Sequence, residues 1–307
     1  MRVLLIFPGA LGDLLLLAPA AAALVRRGVR VEWSVRRALA DLVCALSAGA
    51  LAPPVDGAAM SSLFTVAPAP ALAEWLVGAD QVHAWLGSDG GASALAHHVR
   101  THAAGALLRF HGVARGDGPR HASMDYAAAL GVDGPLEAPS LVLPVGSASP
   151  AWEAPWPARL VVHPGAGAVA KCWAASGFER VADRWHARGG DVTVLLGPAE
   201  VGMVERWRRT GHRLAHDLEI LGAAARLASA PAYLGNDSGI SHLAGVLRRT
   251  GVVLFGPTRP ARWSPLGGAL APLDFTSRSP NDDAAAILER MGDPSGCRYL
   301  DTPQPEH

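Results

Sequence analysis

"RVLLIFPGALGDLLLLAPAAAALVRRGVRVEWSV", residues 2–35, sets two short apolar runs on either side of a longer Ala/Leu-rich one. Residues 2–7 stop at Pro8-Gly9, the pattern of a strand buried on both faces of a parallel sheet. Residues 14–28 then predict a helix closed by Gly28, and "VRVEWSV" (29–35) predicts the next strand. Strand, helix and strand together make a βαβ unit, and an α/β fold follows from its repetition.

The alternation continues outward from this unit. Residues 36–48 read as helical, whereas the Pro/Gly/Ala-rich stretch 49–71 carries no assignable element. "QVHAWL" (81–86), "GALLRF" (105–110) and "SLVLPV" (140–145) read as strands, with helical stretches near 92–103 and 121–131. Residues 146–158 hold three prolines and no periodicity, which marks a linker. Beyond it come strands at 159–165, 191–197, 232–236 and 251–256, and helices at 175–188, 199–209, 219–229 and 239–249. Two such series predict two Rossmann-like, doubly wound domains facing a central cleft. The expected division is a first domain 1–147, a linker 148–158, a second domain 159–280, and a tail 281–307. The tail holds a short helix (283–292) and a loose end.

Composition narrows the function. The 27 basic and 27 acidic residues cancel, which argues against a nucleic-acid binder working through bulk charge. Recognition of an anion must therefore be local, and Lys171 is the one lysine in the chain. Cys44, Cys172 and Cys297 lack the close pairing of zinc or redox motifs, so a reducing cytoplasm is expected. The N-terminal apolar run is broken by Pro8, Gly9, Gly12 and Asp13 and carries Arg26 and Arg27 after it, which argues against a secretory signal. No segment approaches the ~18 apolar residues of a transmembrane helix.

Three polar clusters fall where strands hand over to helices, the place where open α/β sheets bind ligands. In "PGALGD" (8–13), Gly9 and Gly12 admit close backbone approach and Asp13 stands at a helix start, as a helix cap or as a functional acid. "HPGAGAVAKCW" (163–173) offers backbone N–H groups and the Lys171 ammonium to a phosphate without being a Walker A loop. In "GNDSGISHLAG" (235–245), Asp237 or Ser238 would cap a helix whose N-terminal dipole favours an anion. His98 and His102 share a helical face, but no third ligand or HExxH glutamate accompanies them, and no metal is expected. GxSxG and GxGxxG are both absent, which counts against a serine nucleophile and against a nicotinamide-dependent enzyme.

Taken jointly, these loops resemble glycosyltransferase family 9, the ADP-heptose:lipopolysaccharide heptosyltransferases. The matching stretches are "GALGDLLLLAPAAAAL" (9–24), "HPGAGAVAKCW", "LLGPAE" (195–200), "GNDSGISHLAGVL" (235–247) and "LFGPTRPARWSPLG" (254–267). "HASMDYAAALGV" (121–132) matches more weakly. The resemblance implies a GT-B fold and inverting transfer from an ADP-sugar without a metal or other cofactor. It implies Asp13 as general base, with Gly9 and Gly12 in the acceptor-side loop. Lys171, Asp237, Ser238, Gly239, Gly165, Ala166 and His242 would hold the donor diphosphate and sugar. Glu200 and Leu218 would approach the ribose and base, and Thr258 would line the site. The implied partners are a nucleotide-sugar donor and a glycan or lipid-linked acceptor, with possible peripheral membrane contact from the cytoplasm.

Two departures bear on substrate. Arg259 stands where the family's "GPTDP" has an acid, and between 49 and 110 the only arginines are Arg100 and Arg109, where a phosphorylated acceptor calls for several cations. The alternatives are therefore a transferase of another nucleotide sugar with an acceptor other than lipopolysaccharide, or a non-catalytic sugar-nucleotide binding protein.

Overall fold

Apolar runs of strand length become two separate all-parallel sheets in a computed structural model, which describes residues 1–65, 67–86, 90–143, 158–276 and 280–296. Contacts divide the chain into two compact units: Met1–Arg115 with Ala122–Val142, and Gly116–His121 with Leu143–His307.

The first unit holds β1 (Arg2–Phe7), α1 (Leu11–Arg26), β2 (Arg30–Val35), α2 (Ala40–Ala45), β3 (Ala50–Leu51), α3 (Ala58–Ser61), α4 (Pro70–Leu76), β4 (Gln81–Ala84), α5 (Gly90–His102), β5 (Leu107–Phe110) and α6 (Ala122–Ala129). Its sheet order is β3-β2-β1-β4-β5. Gly28, at φ 78°, ends the first crossover as a left-handed residue after α1, a conformation costly for a side chain bearing Cβ. On one face of the sheet Leu4, Ile6, Val82 and Ala84 bury against Leu72, Trp75, Leu95 and Val99 of the flanking helices.

The second unit holds β6 (Arg159–His163), α7 (Ala175–Ala187), β7 (Asp191–Leu195), α8 (Val204–Arg208), β8 (Arg213–Ala215), α9 (Ile220–Ala228), β9 (Ala232–Asn236), α10 (Gly239–Val246), β10 (Thr250–Phe255), α11 (Pro260–Trp263), β11 (Ala269–Asp274) and α12 (Pro280–Met291). Its order is β11-β10-β9-β6-β7-β8. Leu160, Val162, Val194, Leu234 and Val252 form its core with Phe178, Trp185, Ile287 and Leu288 from α7 and α12. Every strand pair in both sheets is parallel, so each crossover places a loop at the carboxyl end of a strand.

Several expectations change. Residues 140–143 are not a strand, and 144–145 lie outside the described residues. Val142 N instead donates to Ala45 O at 2.9 Å, and no strand ladder forms among the described residues of this segment. The expected linker also lies outside the described residues, except for Ala158, as does the chain beyond 296; residues 294–296 form a 3₁₀ turn. The helix expected at 199–209 splits into a 3₁₀ turn, Pro198–Met203, and α8, because Pro198 and the Glu200 carboxylate, which accepts from Gly197 N, start one turn and Gly202 weakens its continuation. The unassigned stretch 49–71 holds β3, α3 and the start of α4, all short.

His83 on β4 and His242 on α10 are both buried, and burial is the leading cause that pushes each imidazole down to about 4. An unfolded imidazole titrates near 6.5. Below that pH the unfolded chain binds protons that these two folded sites refuse. Their contribution to stability is thus present above pH ~6.5 and is lost as pH falls toward 4, at about 1.4 kcal/mol per unit for each histidine. Thermal melts between pH 7.5 and 4.5 should show a midpoint that declines below about 6.5; a flat midpoint would contradict this assignment.

Candidate functional site

Five residues singled out by the sequence follow neighbouring strands of the second sheet. Thr258 follows β10, Asp237 follows β9, Lys171 follows β6, Glu200 follows β7 and Leu218 follows β8, and these five strands are neighbours in that order. Four inter-strand gaps of about 4.8 Å separate the outer two strand ends by about 19 Å, while the side chains of Lys171, Asp237 and Thr258 converge. Chain direction switches between β9 and β6, since β6 leads to β7 on one side while β9 adjoins it on the other. Such a switch point opens a crevice at the carboxyl edge. Lys171 and Asp237 stand on its two sides.

Lys171 Nζ donates to Asp237 Oδ2 at 2.8 Å, and Thr258 Oγ1 donates to the same oxygen at 2.6 Å. The Asp237 side chain is 6% exposed and that of Lys171 is 30% exposed. A carboxylate so buried requires charged or hydrogen-bonded partners, and these two supply them. The ammonium keeps an open side. Ser238 is the N-cap of α10, its Oγ accepting from Ser241 N at 3.4 Å. The N–H groups of Gly239 and Ile240 begin the helix and, as in any first turn, have no carbonyl of the preceding turn to bond.

Asn236 holds this edge together. Its Nδ2 donates to Pro164 O at 2.8 Å while its Oδ1 accepts from Trp173 N at 3.0 Å, so both ends of the 164–173 loop are pinned to β9. Within that loop a 3₁₀ turn, Val169–Lys171, brings the lysine back toward Asp237. Ser241 Oγ donates to Asn236 O at 2.5 Å and bonds the Tyr233 hydroxyl at 2.8 Å. His242 is buried behind this network. Desolvation lowers it first, Asp237 opposes, and His121 and Lys171 lower it further, which leaves a neutral imidazole at physiological pH. Burial pushes the Cys172 thiol up, so it is a poor nucleophile.

Glu200 is also buried, and its Oε2 accepts from Gly197 N at 2.8 Å. Its carboxylate lies where a Cβ on residue 165 would stand, so a side chain there would have to displace the end of Glu200. Ala166 and Leu218 are half-buried beside this edge, and Arg259 is exposed next to Thr258 as the N-cap of α11.

In the first unit, Asp13 lies at the carboxyl end of β1, beside the β1/β4 switch point of that sheet. The N-cap of α1 is Ala10, so Asp13 is the third residue of the helix and does not cap it. Gly12 likewise belongs to the helix and not to the loop, and a side chain on residue 9 would strike the Phe7 ring. Asp13 Oδ1 accepts from the Tyr126 hydroxyl at 2.7 Å. Phe7, Trp85 and Tyr126 pack edge-to-face or tilted beneath it, with ring centroids 5.3 to 6.2 Å apart.

Sequence reasoning missed Tyr126 and the pinning role of Asn236. A polar residue ending a fully buried strand must find partners, and that was the available signal for Asn236. His98 Nε2 bonds Leu63 O at 3.2 Å, and no group of three or more His, Cys, Asp or Glu suited to a metal occurs among the described residues.

The profile of glycosyltransferase family 9 (heptosyltransferase) matches residues 126–279. Lipopolysaccharide heptosyltransferase 3 of Escherichia coli is 30% identical over 113 residues, 34% of this chain and 33% of that protein, so the match spans about a third of that relative's length. Among solved structures, the E. coli ADP-heptose lipopolysaccharide heptosyltransferase II is similar with a TM-score of 0.72 at 18% identity, covering 93% of this chain and 97% of the other. The E. coli heptosyltransferase WaaC with ADP gives 0.66 at 19% identity, covering 94% and 100%. These likenesses show an α/β fold of the GT-B type, with two parallel-sheet domains. With half of its length matched by the profile, including the Lys171, Asp237 and Thr258 loops, the chain belongs to glycosyltransferase family 9.

Proposed function

We propose that this chain is an inverting, metal-independent glycosyltransferase that moves a heptose or similar sugar from an ADP-sugar to a lipopolysaccharide core or another cell-surface glycan. The observation that carries the proposal is the Lys171–Asp237–Thr258 cluster at the switch point of the second sheet. An edge of five strand ends, about 19 Å long, leaves room for an extended nucleotide-sugar. The sugar would lie toward Thr258 and Asp237, the diphosphate over Lys171 and the start of α10, and the nucleoside toward Glu200 and Leu218, with Gly165 and Ala166 beneath. Asp237 has no proton to donate to a phosphate, so its role is to orient Lys171 and to accept from sugar hydroxyls. Ser238, Gly239 and the neutral His242 would complete the donor site.

In this reading Asp13 takes the proton of the acceptor hydroxyl as that oxygen forms its bond to the anomeric carbon. The bond from that carbon to the β-phosphate oxygen breaks with its electron pair, and ADP leaves. Its growing charge is met by the Lys171 ammonium and the N–H groups of α10, fixed donors of the kind that stabilise a transition state without reorganising. No helix among the described residues is long and apolar enough to cross a membrane. We place the reaction in the cytoplasm, with peripheral contact where the acceptor is lipid-linked. The scarcity of cations between 49 and 110 favours, as a second reading, an acceptor without the phosphates of an inner core, and with it another donor sugar.

Asp13→Asn should lower transfer by about 10²–10⁴-fold and leave ADP affinity unchanged in calorimetric titration; retained turnover would remove the base assignment. Lys171→Ala should weaken ADP by about 10- to 100-fold, the worth of one charge-assisted hydrogen bond; unaltered affinity would move the diphosphate elsewhere. Turnover of the wild type should survive EDTA, and its loss with recovery on adding a divalent ion would contradict the metal-free reading.

A further inference from the structure

Tyr126 is 1% exposed and stands between two groups far from it in sequence. Its hydroxyl oxygen accepts from Ala114 N at 3.2 Å, and its hydroxyl proton goes to Asp13 Oδ1 at 2.7 Å. The two bonds run in one direction, from a backbone amide through a phenol to a carboxylate, and such a chain polarises the phenol toward stronger donation. The ring is held independently by Phe7 and Trp85, at centroid distances of 6.1 and 6.2 Å. The phenol is therefore anchored before it reaches the acid, so it restrains the Asp13 carboxylate rather than following it.

We infer that Tyr126 is the positioning residue of Asp13, fixing the orientation of its carboxylate and favouring its proton-accepting state through the Ala114–Tyr126–Asp13 chain. This rests on the reading of Asp13 as the base. A hydrogen bond donated to a carboxylate stabilises the ionised form, so the active protonation state extends to lower pH with the phenol present. On neighbouring elements the ionisable groups include Asp125 of α6, His83 and Arg109 of β4 and β5, and His111, whose Nε2 shares a 2.9 Å hydrogen bond with His83 Nδ1 and whose ring contacts Trp85. Burial and Arg109 lower both histidines.

Tyr126→Phe tests this because it removes the hydroxyl and keeps the ring. With sugar transfer assayed from pH 4.5 to 8.5, the acid limb of kcat/KM should move to higher pH than in the wild type. On the plateau kcat should fall about tenfold, the order of one hydrogen bond to a charged group, with ADP affinity unaltered. Titration of the histidines is common to both enzymes and cancels in the comparison. An acid limb that coincides with the wild type would overturn the inference even if kcat falls, since loss of packing alone does not move it. Asp13→Asn run beside it separates the two claims. If that variant is inactive while the limb of Tyr126→Phe stays in place, only the role of Tyr126 fails; if it turns over, the base assignment fails and takes the role of Tyr126 with it.

Discussion

The buried carboxylate of Asp237 is the constraint around which the carboxyl edge of the second sheet is built. Its charge at the end of β9 is matched by Lys171 from the loop after β6 and by Thr258 from the loop after β10, so one side chain draws three strand ends together. The pair is more than a stabilising contact, because the desolvation cost of such a buried ion largely offsets the Coulomb gain. What it does is orient the chain's one lysine ammonium at a topological switch point while leaving it partly open. Asn236, one residue earlier, serves the same end by clamping both ends of the 164–173 loop.

In the proposed function the two units divide the chemistry by kind. The second supplies positive charge, helix N–H groups and a row of strand ends, which suits an anionic, extended donor. The first supplies an acid on the first turn of α1, underlain by aromatic rings and bonded by a phenol, which suits proton transfer. Each unit gives its contribution from the carboxyl side of its own switch point, β6/β9 in one and β1/β4 in the other.

Much of the fold was legible because central strands of a parallel sheet are buried on both faces and so read as continuous apolar runs, as in β1, β6 and β10. Of the four edge strands, β5 was read as a strand, and β3, β8 and β11 were not. β8 has three residues, and β11 carries Pro272 and is largely exposed, so neither needs such a run. The loops at the carboxyl edge of the second sheet were legible from glycines and polar residues at strand ends. Their wiring was not: Lys171 and Asp237 are 66 residues apart, and Asp13 and Tyr126 are 113 apart. Asp13 was placed at the right helix, yet its cap is Ala10, because an extended residue with no capping side chain can also start a helix. Tyr126 gave no signal at all, since one tyrosine in an Ala-rich helix reads as core.

A crystal structure with ADP bound tests the central claim most directly. The account predicts the diphosphate within hydrogen-bonding distance of Lys171 Nζ and the Gly239 N–H, with the ribose beside Glu200. A diphosphate bound away from the β6/β9 switch point, with the Lys171–Asp237 pair untouched, would contradict it.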